Sequence, residues 1–529
     1  MPSPRRRSRP RSPRASRARR AQRPRPPWGA TSGGRAGGRR KRAAQRMLCE
    51  RGGSPAAGAG VGGRMSSVIV LEFNELSPAL VDRFVREGAL PNFRRLHDEA
   101  STYVTDAEEV APNLEPWIQW VTVHTGLDYR EHRIFDLGDG HKLDHPRIWD
   151  LASAAGMRVL VCGSMNAAYR APLHGVFLPD PWSVGVSPHP AELEPYYAFV
   201  QRHVHEYTRG RVPLSAADYA RFLRFMATHG LSAATVLAIA RQLAAERLGP
   251  SGWKRAAILD RLQWDVFRWY YERERPRLAT FFLNSTAHLQ HAYWRNMDPE
   301  PFALKPSAEE QAAYGGAVLY GYRQMDRLIG ACLRLAGPAT TVVLCTALSQ
   351  QPCLSYESAG GKTFYKPTDA ERLFAFAGVE APYRYAPLMS EEFHVYAETE
   401  AAAREIAAGL CALRVAGRPA MRARSEGAEV FAGCILFDEL DADARLQVSG
   451  TAKTARFFDL FYGVDTKKSG MHHPDGMLWI RTPERRHRAG GRVPLRAVAP
   501  TLLGLLGLPK PASMTGDALA RIEPRRAAA

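Results

Sequence analysis

Residues 68–88 read VIVLEFNELSPALVDRFVREG, and this stretch predicts a buried strand that leads directly into a helix. The run VIVLEF is apolar except for Glu72, which is typical of a strand covered on both faces. Ser77 is a plausible N-cap, Pro78 suits the first helical turn, and Gly88 is a stop signal. A strand followed by a helix in this way is the repeating unit of a parallel α/β sheet.

The same alternation of strand and helix continues along the chain. Further strands and helices are predicted at 148–164, 278–285, 307–337, 340–346, 475–482 and 498–507. Residues from about 190 to 275 are instead rich in helix-forming sequence, and residues from about 390 to 455 resemble a small separate unit. We therefore predict an α/β fold over 65–520, with a mostly parallel central sheet flanked by helices, a helical cap insertion and a small α/β insertion.

The net charge of +19 is concentrated at the N-terminus. Residues 1–64 contain 18 Arg and one Lys against a single acid, so the rest of the chain has a net charge of only +1. A nucleic-acid-binding fold carries a basic face of its own, and we therefore predict no nucleic-acid partner. The Arg-, Pro- and Gly-rich segment has too few aliphatic residues to fold and is predicted to be disordered. A nucleic-acid-binding arm and a targeting segment are alternatives to the preferred interpretation, a start codon placed upstream of the true one at Met65 or Met47.

The sequence contains no run of about 18 apolar residues of the kind that spans a bilayer. The seven cysteines are scattered, which is typical of reduced thiols in the core. We therefore expect a cytoplasmic protein with no membrane partner, and we expect residues 521–529 to be a tail.

Polar side chains follow the predicted strands, at the edge where open α/β sheets bind their ligands. These candidate site residues are Glu72, Asn74, Glu75, Glu115, Gln119, His124, Asn284, His288, His291, Gln350, His472 and His473. His288 and His291 have the spacing of a ligand pair on one helix face, although two ordinary hydrogen-bonded histidines are the alternative. Trp117 and Trp120, three positions apart, are either core residues or stacking surfaces for a ligand.

Several segments, taken in order, resemble a known family. They are VIVLEFNELSPALVDRFVREGALPNFRRL, HTGLDYREHRIFD, NSTAHLQHAYWRNMDP, TALSQQ, GMHHPDGMLWI and APTLLGLLGLPKPASMTG. Together they resemble the type I phosphodiesterase and nucleotide pyrophosphatase family of the alkaline phosphatase superfamily, over nearly all of residues 65–520. The resemblance implies an alkaline phosphatase-like fold and the cleavage of phosphate or sulfate esters at two metal ions.

The chain departs from that family at most of the metal-binding positions. Asn74, Ala287, Ala347 and Leu348 replace metal ligands, and Leu114 or Glu115 replaces the nucleophile. Alanine and leucine have no donor atoms, so at most one divalent ion, Zn²⁺, is expected. Its expected ligands are His291, His472 and Glu72, with Glu115 as the alternative carboxylate. A shifted alignment of NSTAHLQHAYW would place Asn284 and His288, rather than Ala287 and His291, at the family's ligand pair.

The resemblance suggests a divergent enzyme that acts on a phosphate or sulfate ester, either a small molecule or a glycan, through a rebuilt site. The predicted catalytic residues are Glu115, Glu75 and His288. The predicted ligand-binding residues are Asn74, Gln119, His124, Asn284, Gln350 and His473. The alternative is a non-catalytic member that binds a phosphorylated or saccharide ligand or a protein partner.

Overall fold

The structure is a computed structural model. It describes residues 67–519, except 112, 208–213, 250, 356, 360, 388–390 and 465–466. The N-terminal extension expected at 1–64 and the tail expected at 521–529 lie outside the described residues.

The described residues form strands throughout the chain, and their bounds are as follows. The strands are β1 (Val68–Phe73), β2 (Ser101–Asp106), β3 (Val159–Cys162), β4 (Gly175–Leu178), β5 (Leu278–Leu283), β6 (Thr341–Cys345), β7 (Ser349–Pro352), β8 (Tyr365–Pro367), β9 (Tyr383–Pro387), β10 (Glu392–Ala397), β11 (Leu413–Val415), β12 (Arg418–Pro419), β13 (Met421–Glu426), β14 (Glu429–Cys434), β15 (Arg445–Val448), β16 (Thr454–Arg456), β17 (Phe461–Gly463), β18 (Gly470–His473), β19 (Asp475–Arg481) and β20 (Arg488–Pro494).

Helices alternate with these strands. They are α1 (Pro78–Arg86), α2 (Pro91–Asp98), α3 (Pro116–Thr125), α4 (Tyr129–His132), α5 (Ile148–Ala154), α6 (Glu194–Tyr207), α7 (Ala216–Thr228), α8 (Ala233–Glu246), α9 (Ala256–Glu274), α10 (Ser285–Met297), α11 (Ala308–Tyr314), α12 (Ala317–Ala336), α13 (Ala370–Ala377), α14 (Glu400–Cys411), α15 (Phe457–Leu460) and α16 (Val498–Leu505).

An eight-stranded sheet in the order β20-β2-β19-β6-β1-β5-β3-β4 forms the centre of the fold. Every neighbouring pair in it is parallel except the two that involve β19, which runs against both β6 and β2. The prediction of an α/β fold with a mostly parallel central sheet flanked by helices is therefore confirmed. Because β19 is reversed, its first residues lie at the same sheet edge as the last residues of β1, β5 and β6.

Both faces of the sheet are covered, and β1 shows why. Ile69 and Leu71 belong to a core shared with α1, α2, α9 and α12, whereas Val68 and Val70 belong to a second core with α3, α5 and α16. Alternate side chains of a strand point to opposite faces, so a strand between two helical layers has to be apolar at nearly every position.

Two segments stand apart from this pattern. Residues 191–274, where described, contain helices, which include α6 to α9, and no strand. Residues 383–456 contain two four-stranded antiparallel sheets, and these share a separate core with α13 and α14. None of the described helices is both long enough and apolar enough to span a bilayer.

Candidate functional site

Segments that are far apart in sequence, α10, β18 and the turn after β1, meet beside the end of β1. The ring centroids of His291 and His472 lie 5.2 Å apart. The Nε2 atom of His291 lies 2.9 Å from Glu75 Oε2, and the Nε2 atom of His472 lies 3.5 Å from the same oxygen. The three donor atoms all fall within 4.8 Å of one another. We call Glu75, His291 and His472 the donor cluster.

Glu75 has an unusual backbone conformation that the rest of the fold holds in place. Its φ angle of 60° lies in the left-handed region, which is costly for a residue other than glycine. The Gln290 side chain donates to the carbonyl oxygen of Glu75 at 2.7 Å. The Tyr322 hydroxyl donates to Gln290 Oε1 at 2.5 Å and accepts from the backbone nitrogen of Ser77 at 2.8 Å. These bonds fix the turn that places Glu75 in the cluster.

The Glu75 carboxylate is buried but well supplied with partners. Asn74 Nδ2 donates to Oε1 at 2.7 Å, and Gln350 Nε2 donates to Oε2 at 2.5 Å. Burial alone would raise the pKa of Glu75, but the neighbouring imidazoles of His291 and His472 outweigh it and hold that pKa well below its usual value. The carboxylate therefore stays ionised, as a metal ligand must.

His291 lies on α10 with its two ring nitrogens in different environments. Nδ1 donates to the carbonyl oxygen of Gly470 at 2.8 Å, which leaves the lone pair of a neutral ring on Nε2. Burial lowers the pKa of His291 and outweighs the opposite effect of Glu75. In the neutral form of the ring, Nε2 carries no proton. Nε2 then faces the Glu75 oxygen as one acceptor faces another. Such a contact is repulsive unless a proton or a metal ion lies between the two atoms.

His472 is positioned by a short antiparallel ladder between β7 and β18. The register of that ladder places His472 opposite Gln350. Its Nδ1 atom lies 3.4 Å from Glu115 Oε2, while Nε2 faces Glu75. Burial alone would lower the pKa of His472, but the carboxylates of Glu115 and Glu75 outweigh it and raise that pKa. An outer carboxylate behind a ligating histidine is a common arrangement at zinc sites.

Gly470 allows these side chains to approach one another. A Cβ atom at this position would lie 2.3 Å from Gln350 Oε1 and 2.7 Å from the carbonyl oxygen of Gln290. Only glycine leaves that space free, and the Gly470 carbonyl is the acceptor for His291.

Sequence reasoning missed Lys468, whose charge acts on the cluster, and Lys362, which is hydrogen-bonded to Lys468. The positive charge of Lys468 acts on Glu115, His291 and His472. Burial and Lys468 together lower the pKa of Lys362, whose carbonyl oxygen accepts from the backbone nitrogen of Lys468 at 3.0 Å. The sequence KKSGMHH at 467–473 carried a signal, because Lys468 and Gly470 lie four and two positions before His472.

Glu72, the expected metal carboxylate, lies elsewhere. It is fully buried, accepts from His124 Nε2 at 2.9 Å, and accepts from the Ser164 hydroxyl at 2.7 Å. Glu75 occupies the place in the cluster that the sequence analysis gave to Glu72. The reason is that Glu72 is still within β1 and is enclosed by the core, whereas Glu75 follows the strand end.

Some of the remaining candidates contact the residues around Glu75, and the others lie outside the donor cluster. Asn74 is buried, donates to Asn284 Oδ1 at 2.7 Å and accepts from Trp120 Nε1 at 2.7 Å. Trp120 therefore helps to orient the Asn74 amide that donates to Glu75. Gln119 is also buried and donates to a backbone carbonyl. His124 is bound to Glu72. The side chain of His288 is exposed and does not join the donor cluster, and His473 Nδ1 accepts from a backbone nitrogen.

Apolar packing surrounds Ala287, Ala347 and Leu348, the positions at which the sequence analysis expected metal ligands to have been replaced. Ala347 and Leu348 are fully buried in the core on the α3 side of the sheet, and Ala287 is buried as well. Across the described part of the chain, the donor cluster is the one group of three or more such side chains spaced for a metal ion.

Comparison with models of known protein families gives no match, and comparison with curated proteins gives none either. The chemistry of this site is therefore the basis for assigning a function.

Proposed function

We propose that this protein is a divergent hydrolase of phosphate or sulfate esters that uses one divalent metal ion held by Glu75, His291 and His472. The observation that carries the proposal is the orientation of the two imidazoles. Each Nδ1 faces an outer acceptor, while each Nε2 approaches the same carboxylate oxygen. Two histidines and a glutamate form a known catalytic zinc set that leaves a coordination position open. The same set also suits Fe²⁺.

The surrounding charges support an anionic substrate. Lys468 places positive charge beside the cluster, and a bound ion would polarise the ester and offset the charge that develops during cleavage. Glu115 is the candidate general acid or base, because burial raises its pKa and its side chain is still 29% exposed. A protonated carboxyl in that position is suited to donate a proton to a leaving oxygen.

The proposal includes an alkaline phosphatase-like fold and a cytoplasmic location. The parallel sheet with the donor cluster at its carboxyl edge supports the first. The six cysteines in the described part of the chain are all free, which supports a reducing compartment. A small-molecule or glycan ester remains the proposed substrate class.

Elemental analysis of the purified full-length protein tests the metal site. We expect about one equivalent of zinc or iron per chain, and we expect His291→Ala and His472→Ala to lose it. His288→Ala is the matched control, because His288 lies one turn away on α10 and does not join the cluster.

Two results would contradict the proposal. Stoichiometric metal in His291→Ala would place the ion elsewhere. Wild-type protein that stays free of metal after incubation with zinc or iron, yet binds a phosphorylated or saccharide ligand, would support the non-catalytic alternative.

A further inference from the structure

Helix α8 exposes several aliphatic side chains and buries two polar ones, while Ile239 packs, partly buried, against the core. Its buried residues are polar, Thr235 and Gln242. Its exposed residues are Ala233, Ala234, Val236, Leu237, Ala240, Arg241, Leu243 and Ala244. Val236, Leu237 and Leu243 are each about half exposed, and Leu248, just beyond the helix, is 90% exposed. A surface helix normally turns such residues toward the core, so this face needs a partner.

The charges on this face are all positive. Arg241 and Arg247 are exposed along it. The acidic residue of α8, Glu246, already forms an ion pair with Arg255 at 2.5 Å. The exposed α8 face, which we define as Val236, Leu237, Arg241, Leu243, Arg247 and Leu248, therefore combines aliphatic side chains with two arginines, neither of which forms an ion pair with a described residue.

A cavity of about 540 Å³ opens beside the start of α8, between α9 and α12. Ala234 lines the cavity and is also exposed, so the cavity adjoins the α8 face. Four arginines line it, Arg261, Arg268, Arg327 and Arg334, together with the acidic residues Asp260, Asp265 and Glu272.

These arginines keep capacity for an anion. Arg268 forms an ion pair with Glu272 at 3.2 Å, whereas Arg261 and Arg327 both donate to the neutral oxygen of Gln324. Within the described ranges, no carboxylate lies at ion-pair distance from Arg261, Arg327 or Arg334. Arg261 and Arg327, which share the neutral Gln324 oxygen rather than a carboxylate, are suited to bind a phosphate group.

We propose that the exposed α8 face docks on the surface of an anionic lipid bilayer. The cavity between α9 and α12 would then receive lipid phosphate groups at its arginines. A helix that lies in the interface places its leucines at the acyl boundary and its arginines among the headgroups. This docking surface is independent of the donor cluster. It also departs from the expectation of no membrane partner, because that expectation considered only segments long enough to span a bilayer.

Other occupants fit the α8 face less well. A second copy of the chain would bring the arginines of both faces together without carboxylates between them. A protein partner would be expected to engage aromatic anchors, and the exposed positions of α8 hold none. Short aliphatic side chains on a convex helix suit a fluid surface better than a fixed pocket.

Sedimentation with sucrose-loaded vesicles tests the proposal on the full-length chain. We expect binding to phosphatidylcholine vesicles that contain about 30% phosphatidylglycerol, and much weaker binding to phosphatidylcholine alone. The double variant Leu237→Gln/Leu243→Gln should lower the apparent affinity at least about tenfold, since each leucine loses its apolar contact with lipid. Arg241→Gln/Arg247→Gln should lower it by a similar factor. Val110→Gln is the matched control, because Val110 is an exposed aliphatic residue outside α8.

Hydrogen exchange separates this surface from the basic N-terminal segment, which carries a net charge of +18 and is present in every variant. Vesicles should slow exchange in residues 233–248. Unchanged exchange there, or wild-type binding by Leu237→Gln/Leu243→Gln, would overturn the proposal. So would light scattering that shows a lipid-free dimer which this double variant converts to a monomer, because the face would then be a dimer interface.

Discussion

Substitution of Gly470 by alanine tests the packing that holds the donor cluster together. The new Cβ atom would lie 2.3 Å from Gln350 Oε1 and 2.7 Å from the Gln290 carbonyl oxygen. The second of these atoms is backbone in α10, so the contact cannot be relieved by rotating a side chain. The β7–β18 ladder would have to move away from α10, and it would take the acceptor of His291 Nδ1 with it.

The size of the effect follows from these contacts. Overpacking of this kind costs about 1–3 kcal/mol of folding free energy. For a domain of this size, each kcal/mol lowers the melting temperature by about 2 °C. Displacement of an outer partner of a ligating histidine typically costs about 10–100-fold in metal affinity. We therefore expect Gly470→Ala to melt several degrees lower and to bind zinc at least tenfold more weakly.

Thermal unfolding and a competitive zinc titration with a chromophoric chelator measure the two effects. Gly491→Ala is the matched control, because Gly491 also lies in a strand and its added Cβ atom would meet nothing within 4 Å. The reasoning is refuted if Gly470→Ala matches Gly491→Ala in both stability and zinc affinity.

Three further predictions concern activity and pH. Glu115→Gln should lower the turnover of any identified ester by about 10²–10⁴-fold without loss of metal, which kinetics and elemental analysis check together; an unchanged rate would remove Glu115 from the chemistry. Generic p-nitrophenyl phosphates, phosphodiesters and sulfates should show negligible turnover, with or without added zinc, and robust zinc-stimulated hydrolysis that survives His472→Ala would contradict this site. Burial raises the pKa of Asp260 from 3.8 to about 7, so the folded state favours the protonated carboxyl. The resulting contribution to the free energy of unfolding is complete below pH 3.8 and is lost as the pH rises through 7. The free energy of unfolding of Asp260→Asn, measured with urea, should therefore exceed that of wild type by up to about 4 kcal/mol at pH 8 and by little near pH 4. An equal difference at both pH values would refute this prediction.

The sequence was sufficient to predict the sheet and the edge where the site lies. Apolar runs such as 68–73 report burial on both faces, and burial sets strand and helix periodicity locally. The strand-end rule then brought His291 and His472 to one edge, although 181 positions separate them.

The choice between Glu72 and Glu75 required the tertiary structure. The two carboxylates are three positions apart, and local pattern treats them alike. The left-handed backbone at Glu75 points its side chain into the donor cluster. Hydrogen bonds to Gln290 and Tyr322, more than 200 positions away, hold that backbone conformation. The same holds for Gly470, whose importance comes from atoms of Gln350 and Gln290.

Helix α8 shows the same division between local pattern and tertiary contact. Its sequence AATVLAIARQLAAE indicates a helix, and only the packed structure places its leucines outside and Thr235 and Gln242 inside. Sequence by itself indicated the α/β alternation and several central strands, such as β1, β5 and β6, because periodicity and propensity act between near neighbours. The tertiary structure decided which carboxylate joins the cluster and which helix face stays open, because these depend on contacts between residues far apart in the chain.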